Sequence, residues 1–300
     1  SASWRTQDCQ GAAGVIVSAG TTNTPKLLEL SGIGPVRLLQ RHGIDIVQAL
    51  PGVGENFHDH YSPRLVVRLR EDVDSLNAHV TGLPLVGQVA RWLTGRPSIL
   101  ALSPALVHLF GRSNPAFDVT DYSLVFTPGS YRQGFIGRLD NFPGMTCGAW
   151  QIRPDSREHV QIASADVRDA PRLDANYLGE EKDRIVLVAA LKEARAISLA
   201  APLAALTDQE LFPGADVQSD DEWLGFARQY GNSSYHLVGT AKMGPASDPM
   251  AVVDDRLRVH GLDGLHVVDA SVMPVIPSAN TYAATMMIAE KASDMILSDA

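Results

Sequence analysis

Cysteine is almost missing from this 300-residue chain: only Cys9 and Cys147 occur, far apart and in no ligand-like spacing. That excludes a disulfide framework and makes a reducing, cytoplasmic compartment the expectation. Basic residues are also scarce, with 25 Lys and Arg against 34 Asp and Glu, a net charge of −9 and no basic stripe. Nucleic acid is therefore excluded as a partner. Long apolar runs are absent too. The longest, from Ser98 to Phe110, contains Pro104 and His108 and falls short of the roughly 20 residues that a membrane-spanning helix needs. The chain opens at Ser1 with neither a methionine nor a signal-like segment, and we expect its natural N-terminus to lie upstream. A full G-x-G-x-x-G fingerprint is missing as well. Gly52-Val53-Gly54 follows a β-rich run, but Phe57 stands where the third glycine belongs. Gly52 and Gly54 are therefore read as turn glycines. The remaining composition, 45% hydrophobic and 20% charged, is that of a globular chain with core enough for one large or two modest domains.

The stretch from Gly261 to Ile296 reads as strand, tight connection and helix. Leu265 to Val268 is a short β-branched run ending on Asp269-Ala270-Ser271. Pro274 and Pro277 keep the next segment extended. Asn280 or Ser278 can then cap a helix whose apolar residues Met286, Met287, Ile288, Ala292, Met295 and Ile296 recur at helical spacing. No charge precedes Glu290 in that helix, so its N-terminus suits an electron-rich ligand atom. A second stretch, Ser233 to Gly244 (SSYHLVGTAKMG), is a polar loop carrying His236. Near the beginning, Val15-Ile16-Val17 runs into the small residues Ser18-Ala19-Gly20, which permit close backbone approach. Thr21 to Pro25 then opens a helix through Leu27, Leu28 and Leu30 that stops at Ser31-Gly32.

Further elements follow in order. A short helix is expected over Val36–Arg41 and a strand over Ile44–Val47. A half-buried strand is expected over Leu65–Arg70 and a helix over Leu83–Leu93. The region 98–113 reads as pocket lining or lid. Strands over 121–126, 145–153 and 159–163 point to an antiparallel sheet. A helix from about Glu180 to Ala200 is followed by a second through Trp223, Phe226 and Tyr230, opened by a capping box over Ser219–Glu222. His58 and His60 could share one face of a strand as metal ligands, but no third ligand of suitable spacing accompanies them, which leaves ordinary polar or dimer-facing roles. Gly231 to Tyr235 matches a hydrolase nucleophile elbow poorly, because Tyr235 replaces its second glycine.

Four of these stretches, AGVIVSAGTTNTPKLLELSGIGP, LPGVGENFHDH, the run from Arg153 to Asp183 and the C-terminal pair around His236 and Asn280, resemble the glucose–methanol–choline (GMC) family of flavin-dependent oxidoreductases. The 44-residue separation of His236 and Asn280 (280 minus 236) is similar to the family's spacing. One departure is Glu158, where the family commonly has Gly. The resemblance implies an α/β plus α+β fold: a partial, Rossmann-like FAD-binding domain from 1–60 and 236–300, and an antiparallel-sheet substrate domain over 61–235. It implies FAD as cofactor, a small-molecule alcohol as substrate and a possible homodimer. His236 would be the catalytic base and Asn280 its hydrogen-bonding companion. Ser18, Ala19, Gly20, Asp269, Ala270, Asn280, Thr281 and Tyr282 would lie along the cofactor, and Ser234 and Tyr235 on the substrate side. Because the family's N-terminal G-x-G-x-x-G unit is not in this sequence, the alternative is a truncated, non-catalytic chain that holds no flavin.

Overall fold

Val15–Val17 and Leu265–Val267 lie about as far apart in sequence as two elements of this chain can, yet they pair as parallel strands, with Val15 opposite Leu265 and Val17 opposite Val267. The computed structural model describes residues 14–103, 105–132 and 138–299. Cys9, Ala13 and Pro104 lie outside the described residues. The chain divides into two compact units.

The first unit combines Ser1–Asp59, Ser156–Tyr177 and Tyr235–Ala300. Segment 156–177 is included in the substrate domain expected over 61–235. Instead its main chain bonds to this unit: Val160 N–H donates to Gly54 O at 2.8 Å, and Phe57 and Glu158 exchange backbone hydrogen bonds. Helix Gly20–Leu30 follows the first strand. A second parallel pair joins Ile33–Gly34 to Gln48–Ala49. The strand expected over Ile44–Val47 thus begins later, because Val47 and Gln48 N–H both donate to Gly32 O before the register with Ile33 is set. Helix Tyr282–Asp299 ends the unit. Its expected apolar face is narrower than the pattern implied: Ile288 and Ala292 enter the core with Val53, Val238 and Val272, whereas Met286 and Met287 are exposed.

Two glycines are required by close packing. Gly54 has a φ of +82° and Gly239 one of +101°, and a Cβ at either would collide with a backbone carbonyl, Val160 O and Asn56 O respectively.

The second unit, His60–Asp155 with Leu178–Ser234, carries a five-stranded sheet in the order Thr207–Phe212, Arg64–Leu69, Gly144–Gln151, Tyr122–Thr127, Val107–Gly111. Every pairing in it is antiparallel. The end of the 98–113 region is therefore an edge strand and no lid. Strand Thr207–Phe212 had no counterpart in the sequence reading, and strand 159–163 shortens to Val160–Gln161, in the first unit. Helix Glu181–Leu199 lays Val186, Leu187, Ala190, Leu191 and Ala194 into the core. Helix Asp220–Tyr230 starts with the expected capping box between Ser219 and Glu222. Arg195 ties these elements together, pairing with Glu210 at 2.6 Å and lying 4.1 Å over the Trp223 ring. Helix Gly82–Leu93 forms as expected but buries none of its residues.

One buried acid makes the first unit's stability depend on pH. Glu29 is fully buried; its Oε2 accepts from Ile162 N–H at 2.8 Å, and its Oε1 has no hydrogen-bond partner. Burial first, and then the nearby Glu55 charge, raise its carboxyl to about 8 from the ordinary 4.5, against the opposing pull of the Ile162 N–H. A folded value above the unfolded one means that the stabilisation is complete below pH 4.5 and is lost as pH rises towards about 8. Urea unfolding should therefore show stability falling across that window by on the order of a few kcal/mol, and Glu29→Gln should flatten the dependence. An unchanged slope in the variant would show that Glu29 is already ionised in the folded chain.

Candidate functional site

The strand pair brings the two small-residue or acidic strand ends together. Asp269, buried just past Leu265–Val267, accepts from Gly20 N–H at 2.9 Å and from the Thr24 hydroxyl at 2.6 Å through Oδ2. Its Oδ1 accepts from Ser271 N–H at 2.8 Å. Ser18, Ala19, Gly20, Asp269 and Ala270 are thereby neighbours. The Asp269 carboxylate is committed to protein donors, however, and it supplies the negative charge at the N-terminus of helix Gly20–Leu30, whose own first turn has no acidic residue. Its position in the site is that of a brace for the backbone around it.

The His236 loop is held from three sides. Thr21 Oγ1 donates to Leu237 O at 2.7 Å, and Thr240 Oγ1 donates to Thr21 O at 2.6 Å. Gly239, Ala241 and Met243 donate their N–H groups to the carbonyls of Ala270, Ser271 and Val272. On the third side, Val238 and His58 exchange backbone hydrogen bonds, and Asp59 Oδ1 accepts from His236 N–H at 2.9 Å. The threonines of the Gly-Thr-x-x-Thr-Pro run are thus fasteners between the first helix, the His236 loop and Asp269.

Segment 56–59 also holds the stretch that delivers Asn280. Asn56, at a φ of +59°, donates from Nδ2 to Pro274 O at 3.2 Å. His58 Nε2 lies 2.9 Å from Ile276 N, and because a backbone N–H can only donate, Nε2 must be the acceptor. Its Nδ1–H then donates to Asn56 O at 2.6 Å. The imidazole is therefore neutral, in agreement with a value lowered to about 4 by burial and by the Arg157 charge.

At the centre, Asn280 Nδ2 lies 3.1 Å from His236 Nε2. The amide donates, so Nε2 carries the lone pair and the imidazole is the free base. Burial pulls His236 below the ordinary histidine value, and the Asp59 charge acts in the opposite sense. The ring is therefore neutral and able to accept a proton at pH 7. Asn280 itself is exposed, Thr281 is buried and accepts from Thr285 N–H, and Tyr282 opens the last helix in a largely exposed position. Tyr235 is exposed at a φ of +60°. Ser234 belongs to the second unit, where its N–H donates to His60 O.

His58 and His60 are both buried, which removes the dimer-facing role the sequence allowed them, and the His60 ring bonds to Ile152 O at 3.1 Å. Among the described residues no group of three His, Cys, Asp or Glu could hold a metal ion, and no helix is long and apolar enough to cross a membrane. Asp59, Thr21, Thr24, Asn56 and Tyr177 were not singled out from sequence. Their only signal was that all five lie within the motif stretches.

Two family models, both described as GMC oxidoreductase, match residues 4–62 and 154–289. An oxygen-dependent choline dehydrogenase of Staphylococcus aureus is 36% identical over 289 residues, covering 94% of this chain and 49% of that protein. The chain thus spans about half the length of the curated relatives it matches. Among solved structures, a formate oxidase of Aspergillus oryzae superposes with a TM-score of 0.87 at 25% identity, over 95% of this chain and 54% of that one. Pyridoxine 4-oxidase from Mesorbium loti gives 0.78 at 27% identity, over 94% and 50%.

The three donors on Asp269 make its removal costly. Asp269→Ala should destabilise the chain by roughly 3 kcal/mol or more, since charge-assisted bonds are lost and buried N–H groups are left unpaired. Asp269→Asn, which keeps the acceptor oxygen, should cost less. Chemical denaturation compares the two, and equal losses would refute the bracing role.

Proposed function

The chain belongs to the GMC oxidoreductase family, whose members are FAD-dependent, and from that premise we propose that the protein it represents oxidises the carbinol group of a small alcohol to an aldehyde or ketone. The observation that carries this reading is the 3.1 Å approach of His236 Nε2 and Asn280 Nδ2. The Nε2 lone pair takes the substrate hydroxyl proton. The Asn280 amide, displaced from that lone pair, turns its N–H to the oxygen that has lost the proton and stabilises the charge developing there. Bound FAD supplies the acceptor for the hydride leaving the carbinol carbon.

The residues present suit such a cofactor. Two parallel strands end side by side at Val17 and Val267, an arrangement with which nucleotide-binding α/β folds open a crevice. The last helix begins beyond Asn280 with no acidic residue in its first turn, which favours an electron-rich ring at that end. Ser18, Ala19, Gly20, Asp269, Ala270, Thr281 and Tyr282 would line the cofactor, with Ser234 and Tyr235 on the substrate side. The catalytic unit would be 1–60 with 236–300 and the substrate region 61–235, with 156–177 counted to the former. A substrate of the choline, aryl or aliphatic class would be chosen by that second region.

A second reading concerns this chain by itself. The space beside Gly52 and Gly54 is filled by Met250 and Val160 carbonyls, so this turn serves packing and offers no cradle for a pyrophosphate. With no G-x-G-x-x-G turn elsewhere in the sequence to donate N–H groups to the pyrophosphate, the 300-residue chain alone is expected to hold FAD weakly or not at all. Gel filtration after mixing with FAD should leave it colourless, and stoichiometric retained flavin would reject this reading.

In the full-length protein, His236→Ala should slow anaerobic flavin reduction by roughly 10²–10⁴-fold, and Asn280→Ala by about 10²–10³-fold, with FAD content unchanged in both. KM should move less than the reduction rate, because both groups act mainly in the transition state. Reduction of the His236→Ala protein at the parental rate from about pH 6 to 9, well either side of the usual histidine range, would remove His236 as the base.

A further inference from the structure

Asp59 stands out as a buried carboxylate, 3% exposed, placed between two groups that approach it from different segments. His236 N–H donates to Oδ1 at 2.9 Å. The Tyr177 hydroxyl donates to Oδ2 at 2.7 Å. The two partners lie 118 and 177 positions from Asp59 in sequence, yet all three residues belong to the first unit. A buried carboxylate is costly unless its oxygens take donors, and here each oxygen has one. The Asp59 charge acts on His236 in the sense opposite to burial. His58 is neutral, Asn280 cannot titrate, and Asp269 is turned to Gly20, Thr24 and Ser271. Arg157 bonds Asn56 Oδ1 at 3.1 Å, and its charge falls on His58.

We propose that Asp59 is the positioning residue for His236: held by the Tyr177 hydroxyl, its carboxylate fixes the His236 main chain and places its charge close to the imidazole that accepts the proton. This rests on the reading of His236 as the base. Two consequences follow from the geometry. The main-chain bond fixes where the loop enters the site, and therefore the distance from Nε2 to Asn280. The charge stabilises the imidazolium formed when the proton arrives, in a site where burial alone would make a protonated ring costly.

The test is an NMR titration of the His236 ring in this chain, with Asp59→Asn as the variant. Asparagine is close in shape and keeps an oxygen for the His236 N–H, while its Nδ2 donates to the Tyr177 hydroxyl in place of the acceptor Oδ2, so the contacts are kept and the charge is removed. The His236 midpoint should move to lower pH in the variant, with far-UV circular dichroism unchanged. A midpoint that stays or rises would overturn the proposal. Should the variant fail to fold, the unsubstituted chain still decides the matter: the Asp59 carboxyl carbon shift must inflect at the His236 midpoint, and a flat response there would refute the coupling. In the full-length enzyme, Asp59→Asn should carry the acid limb of the kcat/KM profile to lower pH by the same displacement as the ring titration, and Tyr177→Phe should leave that limb closer to the parent. Loss of rate with an unmoved limb would reduce Asp59 to a merely structural group. The two readings fail separately: a His236→Ala enzyme that keeps its reduction rate removes the base but leaves the titration shift intact.

Discussion

The arrangement of the first unit depends on one buried carboxylate, that of Asp269. Its two oxygens gather the start of the first helix, the Thr24 hydroxyl and the turn that follows the last strand. The same turn then offers its carbonyls in succession to Gly239, Ala241 and Met243. A charge placed at a helix N-terminus with three donors is stable where an isolated one would not be. The His236 loop therefore hangs from a hydrogen-bonded support, as the role proposed for His236 requires.

Two histidines show how environment divides roles. His58 and His236 are both buried, but His58 has a backbone N–H on one nitrogen and a backbone carbonyl on the other, with Arg157 nearby. That set of partners admits one tautomer and no second proton, so His58 is a spacer between main-chain segments. His236 faces an amide that can turn away and a carboxylate that stays. It can gain a proton without breaking the fold.

Much of this was legible in the sequence wherever the signal was local. The strand at Val15–Val17, the stop at Ser31-Gly32, the Ser219–Glu222 capping box and the helix Glu181–Leu199 follow from residue type and period. The meeting of Asn280 with His236 followed from matched motifs rather than from any period. What escaped were bonds between distant positions. Nothing about Asp59 announces a partner 177 residues later, and Thr21 and Thr24 look like ordinary helix-start residues. Strand Thr207–Phe212 was missed because two register irregularities against Arg64–Leu69 blur its alternation. Met286 and Met287 point the other way: their spacing is that of a core face, but neighbouring elements bury Ile288 and Ala292, with Ala284 and Met295 partly covered, and leave both methionines exposed.

The first unit is assembled from three stretches of chain, with two stretches of the second unit interposed. On a ribosome, the N–H of His236 that Asp59 accepts is polymerised 177 residues after Asp59 itself. At about 5–20 residues per second, the acidic and imidazole groups of segment 56–59 wait on the order of ten seconds or more for their partners. During that interval the interposed sheet can close by itself through nearer pairings, such as Val107–Gly111 with Tyr122–Thr127. Topology thus orders the birth of the molecule: the scaffold of one unit can be finished while the chemistry-bearing loops of the other are still unpaired, and the His236–Asn280 contact is among the last to form.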